Sequence, residues 1–139
     1  MKIIEAIALL KNACLTNDAD IRKSLHLTPA EFNGLLSIDD SEIVSCQTLS
    51  QKMGLSVSRG SRVINKLIDK KYLKGKRLND DKRCSQISLT KKGMEAKVEI
   101  YKIIDNCEKK ITSILTKSQV SETKKCLNRL INLLENRNN

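Results

Sequence analysis

The chain has 139 residues, with 26 Lys and Arg against 16 Asp and Glu, a formal net charge of +10; that length suits one domain, or one small domain with extensions. Aromatic residues make up 2%, so a core must come from Leu, Ile, Val, Ala and Cys, and no run approaches the ~20 apolar residues of a membrane span. A single histidine, His26, with no partner at metal-ligand spacing, five cysteines without a CxxC pair, and no phosphate-cradling glycine loop argue against an enzyme, a metal site, a cofactor and a disulfide framework.

The opening segment MKIIEAIALLKNACL is broken by Glu5 and lacks a small-residue cleavage signature, which points to a cytoplasmic protein rather than a secreted one. Ile3, Ile7, Leu10 and Cys14 recur at spacings of four, three and four, the pattern of one helical face. Thr28-Pro29-Ala30-Glu31 is a helix start: a capping threonine, proline at the first position and glutamate at the third each supply or dispense with an orphan N–H. That helix carries Phe32, Leu35, Leu36 and Ile38.

After the acidic loop Asp39-Asp40-Ser41-Glu42, a short helix is expected over Cys46–Met53, ended by Gly54, and Ser56 can cap the next, from Val57 to about Lys71. Two helices joined by so tight a turn form a helix-turn-helix pattern. On the second helix Val57, Gly60, Ile64, Leu67, Ile68 and Lys71 share one side, the lysine by its stem. Arg59, Arg62 and Lys66 lie opposite, with the polar groups of Ser58 and Asn65; a solvated amphipathic helix is the plainer reading of such a stripe.

Tyr72-Leu73-Lys74 leaves that helix, Asn79–Lys82 is a turn by composition, and Cys84–Leu89 alternates as a strand, with Ile87 and Leu89 on one side and Gln86 and Ser88 on the other. A hairpin directly after a helix-turn-helix makes a winged helix, whose wing can place arginine in a narrow minor groove. The charge agrees: residues 1–58 hold 5 basic and 7 acidic side chains, residues 59–92 hold 12 and 3, and residues 93–139 hold 9 and 6. A surplus gathered on one supersecondary unit is the footprint of a polyanion-binding surface.

Thr90 is placed to cap a long helix with Ile100, Ile104, Cys107, Ile111 and Ile114 at alternating spacings of four and three. Thr116 and Gln119 form a capping box for a last helix bearing Val120, Leu127, Leu130, Ile131, Leu133 and Leu134. Its apolar residues fill more than one stripe, which together with the first helix suggests a dimer interface; a bundle closed within one chain is the alternative.

Taken together, Leu27-Thr28, the run from Leu49 to Ser56, the run from Arg62 to Leu67, the wing Asp81-Lys82-Arg83 and Leu89-Thr90-Lys91-Lys92-Gly93 resemble the MarR family of winged-helix regulators. The resemblance implies a mainly α fold with a small β-hairpin wing: an N-terminal dimerisation helix over 1–27, a winged helix-turn-helix over 28–92 and C-terminal dimerisation helices over 93–139. It implies a homodimeric regulator, a repressor in most such families, binding double-stranded DNA at an inverted repeat, with residues 57–71 in the major groove and 76–88 in the minor groove. Carried over by position, Arg83 is the minor-groove residue and Asp81 steadies the wing by accepting from a wing arginine. Ser58, Arg59, Ser61, Arg62, Asn65 and Lys66 meet base edges or phosphates, and Arg77 and Lys82 meet phosphates.

One departure is expected at Tyr72, where family members usually have glycine. The family also uses small ligands or cysteine oxidation as signals; an effector is unspecified here, and Cys46, near a helix start, and Cys84, beside Arg83, are the candidate redox thiols. The competing readings are a low-specificity architectural DNA-binding protein and a winged-helix module that contacts an acidic protein.

Overall fold

Side-chain oxygens start most of the helices. In a computed structural model, which describes the backbone of residues 1–77 and 84–135 and their side chains except those of 11, 12, 14–21, 77 and 84, the order is α1 (Ile3–Ser24), α2 (Pro29–Leu36), α3 (Cys46–Lys52), α4 (Val57–Asp69), β1 (Leu73–Arg77), β2 (Cys84–Leu89), α5 (Lys91–Ile114) and α6 (Lys117–Glu135). Thr28 and Glu31 close a reciprocal capping box on α2, at 3.2 and 3.3 Å. Ser45 accepts from Thr48 N, Ser56 from Arg59 N and Thr90 from Gly93 N, and a second box joins Thr116 to Gln119. Each cap removes one or two of the four orphan N–H groups of a helix start.

The chain divides into two compact units, Met1–Tyr101 and Lys102–Asn139. The first holds the core: Leu35, Ile38, Leu49, Ile64, Leu67, Leu73, Ile87 and Ile100 are all fully enclosed, each contributing on the order of 1.5–3 kcal/mol by leaving water. β1 and β2 pair antiparallel from Leu73↔Leu89 to Arg77↔Cys84, with a bulge between Lys74 and Lys76. Val44, just before α3, adds a one-residue third strand: it exchanges both backbone hydrogen bonds with Ile87, at 3.0 and 2.8 Å. The root of the hairpin is thereby tied to the entrance of the helix-turn-helix. Behind it, the ammonium of Lys97, from α5, is buried; it donates to Ile38 O at 2.5 Å and pairs with Asp40 at 3.0 Å, so the loop between α2 and α3 is anchored to α5.

Three helices of this unit end in the same way. In α3, Gly54 N–H donates to Gln51 O and Leu55 N–H to Ser50 O; in α1, His26 donates to Lys23 O and Leu27 to Arg22 O; in α4, Lys71 donates to Ile68 O and Tyr72 to Leu67 O. This is the Schellman arrangement, which needs a left-handed residue, and Gly54, His26 and Lys71 have φ of 69°, 52° and 65°.

The last of these corrects two expectations. The helix expected to run to about Lys71 ends at Asp69, with Lys70 as its C-cap, and Lys71 turns out to solvent instead of laying its stem on the buried face. The position where a glycine would relieve the backbone is Lys71; Tyr72 itself is buried, and its hydroxyl donates to Leu25 O at 2.8 Å. Burial pushes the phenol above its ordinary value of 10.0, so the hydroxyl keeps its proton as a donor. Val57, placed on the buried side by periodicity, is the first residue of α4 and is 39% exposed.

In the second unit, none of α6 is buried. Leu127, Ile131, Leu133 and Leu134 are exposed, and Lys124 pairs with Glu108 at 3.0 Å. In the first unit α1 likewise exposes Ile3, Ile4, Leu9 and Leu10. Among the described residues no helix is long and apolar enough to cross a membrane.

Candidate nucleic-acid interface

The helix-turn-helix is held together by an unusually close helix crossing. Gly60 of α4 lies against Ser50 of α3: a Cβ at Gly60 would run into the Ser50 side chain and come within 3.0 Å of its Cα. Ser50 is itself fully buried and turns its hydroxyl back to Cys46 O at 2.7 Å. Gly34 of α2 also sits close to α4, with Leu67 Cδ1 2.9 Å from where its Cβ would be. Gly60, Ile64 and Leu67 thus form the enclosed side of α4.

The other side faces water. Ser58, Arg59, Arg62 and Lys66 are exposed, while Ser61 and Asn65 are half-buried at its margins. Ser61 donates to Ser58 O at 3.1 Å, and Ser58 lies 3.4 Å from the capping Ser56 hydroxyl. Among the described residues no carboxylate is seen to pair with Arg59, Arg62 or Lys66; Lys52, Lys70, Lys97 and Lys124 do form ion pairs. α4 carries no acidic residue in its first turn, so the partial positive charge of its N-terminus adds to that of Arg59. The result is a row of unneutralised donors along two turns, able to bind an anionic or hydrogen-bonding surface.

Of the expected wing contacts, Asp81, Lys82 and Arg83 lie outside the described residues, as do the side chains of Arg77 and Cys84, although Arg77 ends β1 and Cys84 opens β2. Cys46 is the first residue of α3 and is 6% exposed, which removes it from easy contact with an oxidant. Among the described residues no cluster of His, Cys, Asp or Glu could hold a metal.

Two cations escaped notice in the sequence. Lys74 and Lys76 stand exposed on the outward side of the hairpin, bordering a groove of about 260 Å³ with Ile43, Gly75, Gln86 and Ser88. Two apart in the strand, they share one side, and that spacing was the available signal. Lys70, Tyr72 and Lys92 were missed too, because their contacts come from distant parts of the chain.

Residues 27–85 match the family model described as the MarR family. Over that segment the chain is similar to the MarR family. MarR-family proteins are transcriptional regulators rather than enzymes, and this chain carries their DNA-binding winged-helix fold. It is 23% identical over 128 residues to the transcriptional repressor MprA of Escherichia coli K12, spanning 91% of this chain and 73% of that one. A MarR protein from Peptoclostridium difficile DA00132 superposes with a TM-score of 0.86 at 21% identity, covering 99% of this chain and 90% of that one. A MarR transcriptional regulator from Methanosarcina mazei Go1 does so with 0.80 at 22%, covering 96% and 90%. Those likenesses establish the MarR fold along nearly the whole length, well beyond the segment that the family model covers.

Proposed function

We propose that this protein is a cytoplasmic, sequence-specific repressor that binds an inverted-repeat operator as a homodimer, with α4 in the major groove and the hairpin reaching the adjacent minor groove. The observation that carries the reading is the exposed row Arg59, Arg62 and Lys66, unneutralised among the described residues, on a helix whose other side is locked against α3. A helix so fixed presents its side chains in one geometry, which is what base readout requires. Ser58, Ser61 and Asn65 supply hydrogen-bonding groups beside them. Arg77, Lys82 and Arg83, steadied by Asp81, take the wing contacts.

Repression is supported by the name of the Escherichia coli relative, a transcriptional repressor. The dimer is supported by the apolar residues that α1 and α6 expose, since a lone subunit has little reason to hold so many leucines and isoleucines in water. In this reading residues 1–27 and 93–139 join the subunits and residues 28–92 bind DNA. Two α4 helices then lie about 34–36 Å apart, one turn of the duplex.

Selection of bound sequences from a random duplex pool by the purified protein tests all of this together. A palindromic consensus with half-sites one turn apart is expected. Affinity for random DNA equal to that for any selected sequence, at fixed salt, would point to an architectural protein instead.

A further inference from the structure

The exit of α4 is fastened by groups that the proposed DNA contacts do not use. Lys70, the C-cap, donates to His26 O at 2.6 Å and pairs with Glu31 Oε2 at 2.5 Å; Glu31 is buried and accepts from Thr28 N as well. Tyr72 donates to Leu25 O at 2.8 Å. From the other side, Lys92 donates to Lys70 O at 2.9 Å with its ammonium 4.5 Å from the centre of the Tyr72 ring. Thr90 donates to Lys71 O at 2.6 Å. The turn between α1 and α2 and the start of α5 therefore grip three consecutive residues at one end of the reading helix.

The opposite end carries Ser58, Arg59 and Arg62. Over its 13 residues α4 is about 20 Å long, so a tilt of about 10° at the gripped end moves the first turn by about 3.5 Å, close to the 3.4 Å step along one DNA strand. Base-edge hydrogen bonds do not survive such a shift, whereas flexible lysine and arginine stems still reach phosphates.

We infer that Lys70 and Tyr72 are positioning residues for sequence readout: by holding the exit of α4 to the Leu25–His26 turn they set its tilt, and with it the discrimination between sequences, without touching DNA. The inference rests on the DNA-binding reading above and adds to it a dependence on residues remote from the duplex.

The test uses the full chain, the consensus duplex obtained by selection and a scrambled duplex, each titrated across a salt series. Tyr72→Phe removes one hydroxyl, and the double variant Glu31→Gln/Lys70→Met removes the ion pair without changing net charge. Lys66→Met serves as the phosphate-contact control, lowering the salt slope by about one. For both test variants, affinity for the consensus is expected to fall roughly tenfold, the scale of a single mismatched base pair. Affinity for the scrambled duplex should stay within about twofold, and the salt slope should not change, because phosphate contacts are unaltered.

A fall on both duplexes together with a lower slope would show Lys70 to be a phosphate contact and overturn the inference. Unchanged consensus affinity in both variants, with circular dichroism showing them folded, would reduce the fastening to a purely structural role. Tyr72→Phe keeps the test open should the double variant not fold. A wild-type protein with no preference between the duplexes would instead sink the DNA-reading proposal, and this inference with it.

Discussion

At the scale of single residues, the three left-handed helix ends show what side-chain chemistry announces and what it hides. Gly54 was legible as a helix terminator because glycine is the ordinary occupant of such a site. His26 and Lys71 do the same job with φ of 52° and 65°, and nothing in a histidine or lysine signals it. A left-handed L-residue costs roughly 1–2 kcal/mol, partly offset by the greater freedom glycine has in the unfolded chain. Lys71→Gly is therefore expected to stabilise the protein by about 0.5–1 kcal/mol, read as a higher denaturation midpoint at fixed protein concentration. A lower midpoint would mean that the lysine makes a compensating contact. The cationic stripe of α4 was legible outright, since spacing alone put Arg59, Arg62 and Lys66 together and the structure leaves all three exposed. If Arg62 reads a guanine, Arg62→Ala should cost about 1–3 kcal/mol of binding and relax one position of the consensus. A uniform loss across all sequences would make it a phosphate contact.

At the scale of elements, helix starts were readable to the residue because capping oxygens are local, whereas the joints between elements were not. The Gly60–Ser50 crossing belongs to this second class: ten residues apart, neither residue type names its neighbour. Gly60→Ala should destabilise by about 1–3 kcal/mol or more through overpacking, and adding Ser50→Gly should recover part of the loss in chemical denaturation. Absence of any recovery would locate the strain elsewhere. The hairpin was visible in its alternation, but the Val44–Ile87 bridge was not, since a one-residue strand has no period. The loop leading to that bridge is pinned through Glu42. Its carboxylate accepts from Asp39 N at 3.0 Å and pairs with Lys52 at 2.6 Å. The backbone bond first, then the lysine, hold its pKa below the ordinary 4.5. With the folded value below the unfolded one, the contribution is full above pH 4.5 and is lost as pH falls through the lower folded value. Glu42→Gln should therefore flatten the acid limb of the stability profile below the ordinary carboxylate pKa of 4.5; an unaltered limb would assign the acid sensitivity to other carboxylates.

At the scale of the whole molecule, the apolar residues on α1 and α6 decide whether one chain is a functional object. Their excess was legible as composition, more leucine and isoleucine than one helix stripe can bury. In the chain by itself Ile131 and Leu134 are 48% and 55% exposed. If they meet a second subunit, the double variant Ile131→Asp/Leu134→Asp should sediment as a monomer and lose most of its operator affinity, because two half-sites then bind independently. The melting temperature of the wild type should rise with protein concentration, and that of the variant should not. A variant that stays dimeric would move the interface away from α6. The wing was legible as a charged hairpin, but the roles of Asp81, Lys82 and Arg83 fall on residues outside the described part of the chain, so their assignment rests on the sequence pattern alone.

The burial of Lys97 has a practical consequence. Amine-acylating reagents mark lysines that water can reach, and this ammonium is enclosed between Ile38 O and Asp40. In a mass-spectrometric footprint Lys97 should stay unmodified while Lys74 and Lys76 react at once. Any condition that frees the loop ahead of α3 should then register as a newly acylated peptide from α5, giving the protein a built-in gauge of when that loop detaches.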